Sequence, residues 1–301
     1  MRPLRPPPSG NTYHGAIRVV DTAGGTDDNI RMTSREGHGR TALVTGASAG
    51  IGKAFAERLA EHGYTLVLTA RRVDRLEALA GELRAAHDVA VHVLPADLAD
   101  PAAPAGLCAD LRARGLHIDV LVNNAGYGVP GAYSRTDWRR QADFIQVLVT
   151  AVAELTHRLL PAMIAHGFGR VMNIASLAAL VPAAPGHTLY AASKAFLVKF
   201  SEALAGEVRE QGVHVTAVCP GFTYSEFHDV TGTRAQMQAM PRFMWLDARQ
   251  VVEESYAAVM AGRSMVVTGR LNRALAFGAK HLPAALARAA VARHAGSYRK
   301  L

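Results

Sequence analysis

Tyr190 and Lys194 stand four positions apart in the stretch LYAASKAF, whose composition suits a helix. Residues one turn apart share a helix face, with roughly 5 to 6 Å between their Cβ atoms, so the ammonium can act on the phenol. A free tyrosine ionises near pH ~10, and an adjacent cation favours the phenolate. Tyr190 thereby becomes a usable acid or base near neutral pH. The same spacing also suits a plain helix with an exposed lysine and a half-buried tyrosine, so the pair needs support from the rest of the chain.

A second group of residues suits a bound phosphate. The apolar run TALVT is followed at once by GASAGIG, which places Gly46, Gly50 and Gly52 ahead of a helix beginning near Ile51. Glycines permit a tight turn and a close backbone approach, and the helix N-terminus offers partial positive charge. Between a first strand and a first helix, such a loop is a strong dinucleotide signal. The next apolar run, TLVLT, ends in Ala70, Arg71 and Arg72. A carboxylate there would bond the ribose hydroxyls of NAD, whereas a guanidinium suits a 2′-phosphate. NADP is therefore expected over NAD, with Ser48 adding a hydroxyl to the same phosphate.

These groups need a frame to hold them. TALVT, TLVLT, VAVHVL, DVLVN, GRVMNIAS, VHVTAVCP and SMVVT read as strands, and helical patterns lie between them near 51–62, 72–86, 101–114, 137–166, 189–211 and 248–261. Such alternation predicts an α/β fold, a doubly wound parallel sheet of about seven strands with helices on both faces, in one domain spanning 39–269. Residues 1–38, rich in Pro, Gly, Asp, Arg and Thr without a sustained period, read as a flexible extension, with Met32 as an alternative start. Residues 270–301 form a basic amphipathic tail, broken by Pro283.

The 301 residues are 50% hydrophobic, enough for a large core. Cys108 and Cys219 form no Cys-x-x-Cys pair, and the 13 histidines show no ligand spacing, so neither a disulfide framework nor a metal site is expected. No signal-like segment and no run of 18 apolar residues occurs, which reads as a soluble cytoplasmic protein. The net charge of +8 is concentrated: the last 32 residues hold five arginines, two lysines and no acidic residue. The body is nearly neutral and carries no nucleic-acid reading motif, so no nucleic-acid partner is expected. The tail suits an anionic membrane surface or a partner subunit, and equally a solvated basic face.

Taken in chain order, TGASAGIG from Thr45, Asp97 and Leu98 in PADL, NNAG from Asn123 through Ala125 to Gly126, Ser176 in NIASLAAL, YAASK with Tyr190 and Lys194, and CPGF with Pro220 and Gly221 resemble the classical short-chain dehydrogenase/reductase family. The likeness spans about residues 40–267. It implies hydride transfer between a nicotinamide and a carbonyl or alcohol, with Ser176 orienting the substrate oxygen, Tyr190 exchanging the proton, and Lys194 tuning the tyrosine and bonding the nicotinamide ribose. It further implies that Asp97 contacts adenine, Asn123 lines the cofactor cleft, Gly221 lets the backbone pass close to the nicotinamide, and Ser225 contacts the carboxamide or pyrophosphate. Residues 222–246, rich in Met and aromatics, correspond to a substrate lid and suggest an apolar carbonyl substrate. A homodimer or homotetramer is also implied.

Two departures stand out. Ser176 and Tyr190 are 14 positions apart, one more than is common in the family, and the intervening PAAPG can absorb it in a loop. The asparagine that the family carries in its long helix is absent: Leu148 holds the place, and no asparagine occurs between Asn124 and Asn173. Its role uses a backbone carbonyl to hold a relay water, which a leucine retains. Gln146 is two positions off and on the wrong face of a regular helix. Leu148 therefore leaves open a second reading, an NADP-binding sensor or interaction module with little turnover.

Overall fold

The alternation of short apolar runs with longer amphipathic stretches is realised throughout the computed structural model, which describes residues 36–129, 131–183, 185–186, 188–224, 242–283 and 285–286. Met32, Ser225, most of the segment read as a lid, and the end of the basic tail lie outside the described residues. The strands are β1 (Thr41–Thr45), β2 (Thr65–Thr69), β3 (Val91–Val93), β4 (Val120–Asn123), β5 (Gly169–Ile174), β6 (Val213–Cys219), β7 (Phe222–Thr223), β8 (Trp245–Leu246) and β9 (Met265–Val267). Seven of them form one sheet in the order β3-β2-β1-β4-β5-β6-β9, with every neighbour parallel.

Period-two side-chain direction decides which core each strand residue joins. Ala42 and Val44, Leu66 and Leu68, Val120 and Val122, and Met172 and Ile174 face one apolar cluster. Leu43, Val67, Leu121 and Val171, between them in sequence, face the other. A strand buried on both faces must be apolar at every position, which explains the unbroken runs. Helices α1 (Gly50–Glu61) and α2 (Val73–His87) close the first face. Helix α3 (Ala103–Ala113), then α4 (Trp138–Ile145) and α5 (Ala151–Ala165) joined by a π turn at Gln146–Thr150, and then α6 (Thr188–Val208) close the second. Helix α7 (Ala248–Met260) returns to the first face with Val251, Val252, Tyr256 and Val259.

Helix starts follow local chemistry. The Asp137 carboxylate accepts from the backbone N–H of Arg139 and Arg140 to open α4, and Asp247 accepts from Arg249 to open α7. The stretch Trp138–Ala165 is long and apolar enough, by length and composition alone, to cross a bilayer. Here Phe144, Leu148, Leu155 and Met163 place it in the core against the sheet.

Three features depart from the expected pattern. The expected long helix contains the π turn at Gln146–Thr150, where one extra residue per turn is accommodated. The segment expected as a lid is bracketed by a small parallel pairing, Phe222 with Trp245 and Thr223 with Leu246. The basic tail begins as a regular helix, α8 (Arg270–His281). The strand order reverses between β1 and β4, so a crevice opens at their carboxyl ends, where open α/β sheets hold ligands.

Candidate active site

The loop after β1 is shaped for close approach. Gly46 has φ of +66° and Gly50 of +56°, a region that side chains other than glycine rarely occupy. A Cβ on Gly52 would overlap the carbonyl oxygen of Gly46, so only glycine lets α1 sit this close to the loop. Ala49, at the N-cap of α1, offers no side-chain acceptor to the first turn of the helix. A helix end with unsatisfied N–H groups and an uncapped dipole fits an anionic pyrophosphate.

Two residues absent from the sequence-derived site hold this loop to its neighbour. Thr45 Oγ1 accepts from the backbone N–H of Asn124 (2.9 Å) and Ala125 (3.0 Å) and donates to the carbonyl of Val122 (3.2 Å). The Asn124 side-chain amide donates to the carbonyls of Thr45 (3.0 Å) and Gly46 (3.2 Å). The crevice is thus stitched shut at its base across the point where the strand order reverses. Both residues lie inside the quoted motifs, and their signal is a hydrogen-bonding side chain at a strand end.

At the rim of β2, the guanidinium of Arg72 donates to Ser48 Oγ through Nε (3.3 Å) and Nη2 (3.0 Å). The hydroxyl and cation expected to share a 2′-phosphate therefore already touch. Arg71 is exposed, and its charge acts on the Tyr127 phenol. Burial is the main cause that pushes that phenol up; Arg71 opposes the shift, while Asp143 and Asp97 reinforce it.

Across the crevice, Ser176 follows β5 and caps a short 3₁₀ turn, its Oγ accepting from the N–H of Ala178 at 3.1 Å. The N–H of Leu177 donates to the carbonyl of Pro220 at 2.8 Å, joining the Ser176 loop to the Pro220–Gly221 turn. Lys194 lies on the first turns of α6, is 6% exposed, and donates from Nζ to the carbonyl of Ile174 at 2.7 Å. Burial lowers its pKa to about 8. Its Nζ stands 5.7 Å from the centre of the Tyr190 ring, so the helix delivers the face-sharing that the four-residue spacing implies. Neighbouring Cys219 is no competing nucleophile: burial pushes its thiol up to about 12, against the opposing effects of the Ser176 N–H and Lys194.

The other residues expected to contact the cofactor have these surroundings. Asn123 does not turn its side chain to the cleft. At 3% exposure its amide donates to Thr156 Oγ1 (3.1 Å) and Asn173 Oδ1 (2.8 Å), and Asn173 in turn donates to Ser201 Oγ (2.9 Å). The amide nitrogen is thus paired inside the sheet–helix layer, while the buried Oδ1 meets no hydrogen-bond partner among the described residues. Leu98 is a core side chain. Asp97 is exposed and accepts from the N–H of Ala99 at 3.1 Å, which shapes the loop after β3. Ile51 packs on the first core, while Ala125 packs on the second and Gly126 is exposed with Leu148 beside it. The need for glycine at position 221 comes from within the chain: a Cβ there would collide with the side chain of Asn272 on α8. Leu148 is 1% exposed in the π turn, its Cγ 3.7 Å from where a Cβ on Gly126 would stand. Among the described residues no three His, Cys, Asp or Glu side chains gather as a metal site.

The family model described as short chain dehydrogenase matches residues 40–235. The chain is 37% identical over 219 residues to sulfoacetaldehyde reductase of Chromohalobacter salexigens, covering 71% of this chain and 85% of that protein. Among solved structures it resembles a short-chain dehydrogenase from Sphingobium yanoikuyae in complex with NADPH, with TM-score 0.70 and 33% identity over 76% of this chain and 87% of that one. It also resembles the bulky-bulky ketone specific alcohol dehydrogenase of Comamonas testosteroni, with TM-score 0.67 and 28% identity over 81% and 95% of the two chains.

Proposed function

The chain belongs to the short chain dehydrogenase family of oxidoreductases, and from that premise we propose that it transfers a hydride between NADPH and an apolar carbonyl or alcohol, with Tyr190 as general acid and base. The observation that carries the reading is the placing of Lys194 Nζ, buried and 5.7 Å from the Tyr190 ring, at the same end of the sheet as the glycine cradle.

The residues present fit a dinucleotide. Gly46, Gly50 and Gly52 leave room for the pyrophosphate at the α1 terminus, and the joined Ser48 and Arg72 suit a 2′-phosphate. The relative from Sphingobium yanoikuyae, solved with NADPH, supports the same preference. When bound, the nicotinamide supplies or takes up the hydride. Tyr190 delivers a proton to the carbonyl oxygen in reduction and removes it in oxidation, while Ser176 Oγ orients that oxygen. The Lys194 charge stabilises the phenolate left after proton delivery. A water held by the Leu148 carbonyl would complete the return of the proton. The exposed Tyr224, stacked at 4.7 Å on Trp245, and the exposed Phe243 favour an apolar substrate, in keeping with the bulky ketones named for the Comamonas relative. Phe196, exposed and stacked on Phe200 along α6, supports pairing of subunits through that helix.

The competing reading, a cofactor-binding module with little turnover, draws on Leu148 alone. NADPH oxidation with a panel of hydrophobic aldehydes and ketones separates the two. Tyr190→Phe is expected to lower kcat by about 10²- to 10⁴-fold with the NADPH affinity kept. Tight NADPH binding with no tyrosine-dependent turnover across the panel would sink the enzymatic reading.

A further inference from the structure

Helix α8 starts three residues after β9, and its first turn packs on the Pro220–Gly221 turn that follows β6. Asn272 is 5% exposed there, the one buried side chain of the helix among the described residues. Its Nδ2 donates to the carbonyl of Thr268 at 2.8 Å, which fixes the direction of the amide. The Oδ1, Nδ2 and Cγ atoms then fill the space that a Cβ on Gly221 would take.

The turn that Asn272 covers is tied on its other sides to the site. The Pro220 carbonyl accepts from the N–H of Leu177 at 2.8 Å, next to Ser176, and the Gly221 carbonyl accepts from Thr223 Oγ1 at 3.2 Å. Tyr224 N–H donates to the carbonyl of Leu246 at 3.0 Å. Leu246 lies in turn on Gly269, just ahead of α8, where a Cβ would stand 2.9 Å from Leu246 Cδ2. The helix itself is fastened: Arg273 pairs with Glu254 of α7 at 2.7 Å and donates to the carbonyl of Val267 at 3.3 Å, and Glu254 also accepts from the N–H of Gly269 at 3.1 Å. The start of α8 is thus a fixed seat with two contacts, Asn272 on Gly221 and Gly269 on Leu246.

We infer that Asn272 is a positioning residue for the reaction: it holds the Pro220–Gly221 turn, and through Leu177 the Ser176 loop, against the nicotinamide half of the cofactor. The inference rests on the proposed reading, in which this turn borders the nicotinamide. Neither residue of the turn can fix itself. Proline has no N–H to donate, and glycine has no side chain and a permissive backbone, so the placing of the turn falls to its neighbours. The Leu177 N–H holds one side and the Asn272 amide the other. A turn held in advance favours binding and rate without any contact between the holding residue and the substrate.

The test compares NADPH with 2′-phosphoadenosine 5′-diphosphoribose, the part of the cofactor that lacks nicotinamide, in titrations of the full chain. Asn272→Ala is expected to weaken NADPH by about three- to tenfold, to lower kcat by as much as about 10²-fold, and to leave the affinity for the fragment unchanged. A merely structural role would weaken both ligands alike. In the ligand-free protein, amide hydrogen exchange at Leu177 and Tyr224 should quicken in the variant, since those N–H groups bond to the turn and to its strand partner. Arg273→Ala changes an exposed side chain and loosens the seat without opening a cavity. It should move the same readouts by a smaller factor, and it keeps the inference testable if Asn272→Ala does not fold. Lys280→Ala, exposed at the far end of α8, should move none of them. Equal weakening of the two ligands, unchanged NADPH affinity, or unchanged exchange at Leu177 and Tyr224 would overturn the inference and leave the functional reading standing. Failure of the parent chain to bind NADPH would sink that reading, and the inference with it.

Discussion

Lys194 is an ammonium almost sealed from water, and its environment makes a quantitative demand. Burial lowers its pKa from 10.5 to about 8, so between those values the unfolded chain holds a proton that the folded chain has released. Stability gained from this group therefore rises with pH across that window, while below pH 8 the full cost of a buried charge persists, on the order of 3 kcal/mol. Replacing Lys194 by Met should abolish turnover. In urea unfolding its stability relative to the parent should decline as pH rises from 8 to 10.5, because the parent alone is relieved of its charge. Parallel pH profiles for the two proteins would contradict the shift. Leu148 is the other residue whose surroundings decide its role. It is 1% exposed and packed beside Gly126, so Leu148→Asn would bury an amide in an apolar site at a cost of about 1 to 3 kcal/mol. Its backbone carbonyl is unchanged by the substitution, and kcat per folded molecule is expected to stay the same. A higher kcat would instead mean that leucine impairs the proton return.

The elements meet at contacts more specific than apolar burial. Gly221 follows β6, and the space a Cβ would occupy there belongs to Asn272 on α8, which is itself bonded to Thr268. Gly221→Ala should destabilise by about 1 to 3 kcal/mol, a cost of overpacking. Adding Asn272→Ala should return part of that loss, giving a coupling energy in a double-mutant cycle. Strict additivity would show that the turn and the helix do not bear on each other. The π turn between α4 and α5 is a second element-scale feature, since it lies where a regular helix was expected and carries Leu148.

The whole molecule is organised around the reversal between β1 and β4. A ligand bound in that crevice touches loops from both halves of the sheet, so occupancy should raise global stability. For a site filled at about 100 times Kd, the gain is about 2.7 kcal/mol, visible as a higher Tm. NADPH is expected to raise Tm more than NADH at equal concentration, and Arg72→Glu should invert that order, because Arg72 and Ser48 already form the cationic, hydroxyl-bearing corner at the end of β2. Equal shifts for both nucleotides in the parent protein would remove the assigned phosphate contact.

Much of this molecule follows from local pattern. The period of apolar residues determined seven parallel strands, the order of helices and the two-faced core, since a strand buried on both sides must be apolar throughout. The glycine loop and the Tyr190 and Lys194 spacing likewise pointed to their chemistry, because loop conformation and the helical turn act over a few residues. Tertiary structure alone decided where side chains with several possible partners went. It turned the Asn123 side chain into the interior toward Asn173, 50 positions away, and set Asn124 over the glycine loop, 78 positions away. It also put Asn272 against Gly221 and left the leucines of α8 outside the core. Hydrogen-bond partners and helix faces are fixed by contacts between distant segments, and those contacts exist only once the sheet has brought the segments together.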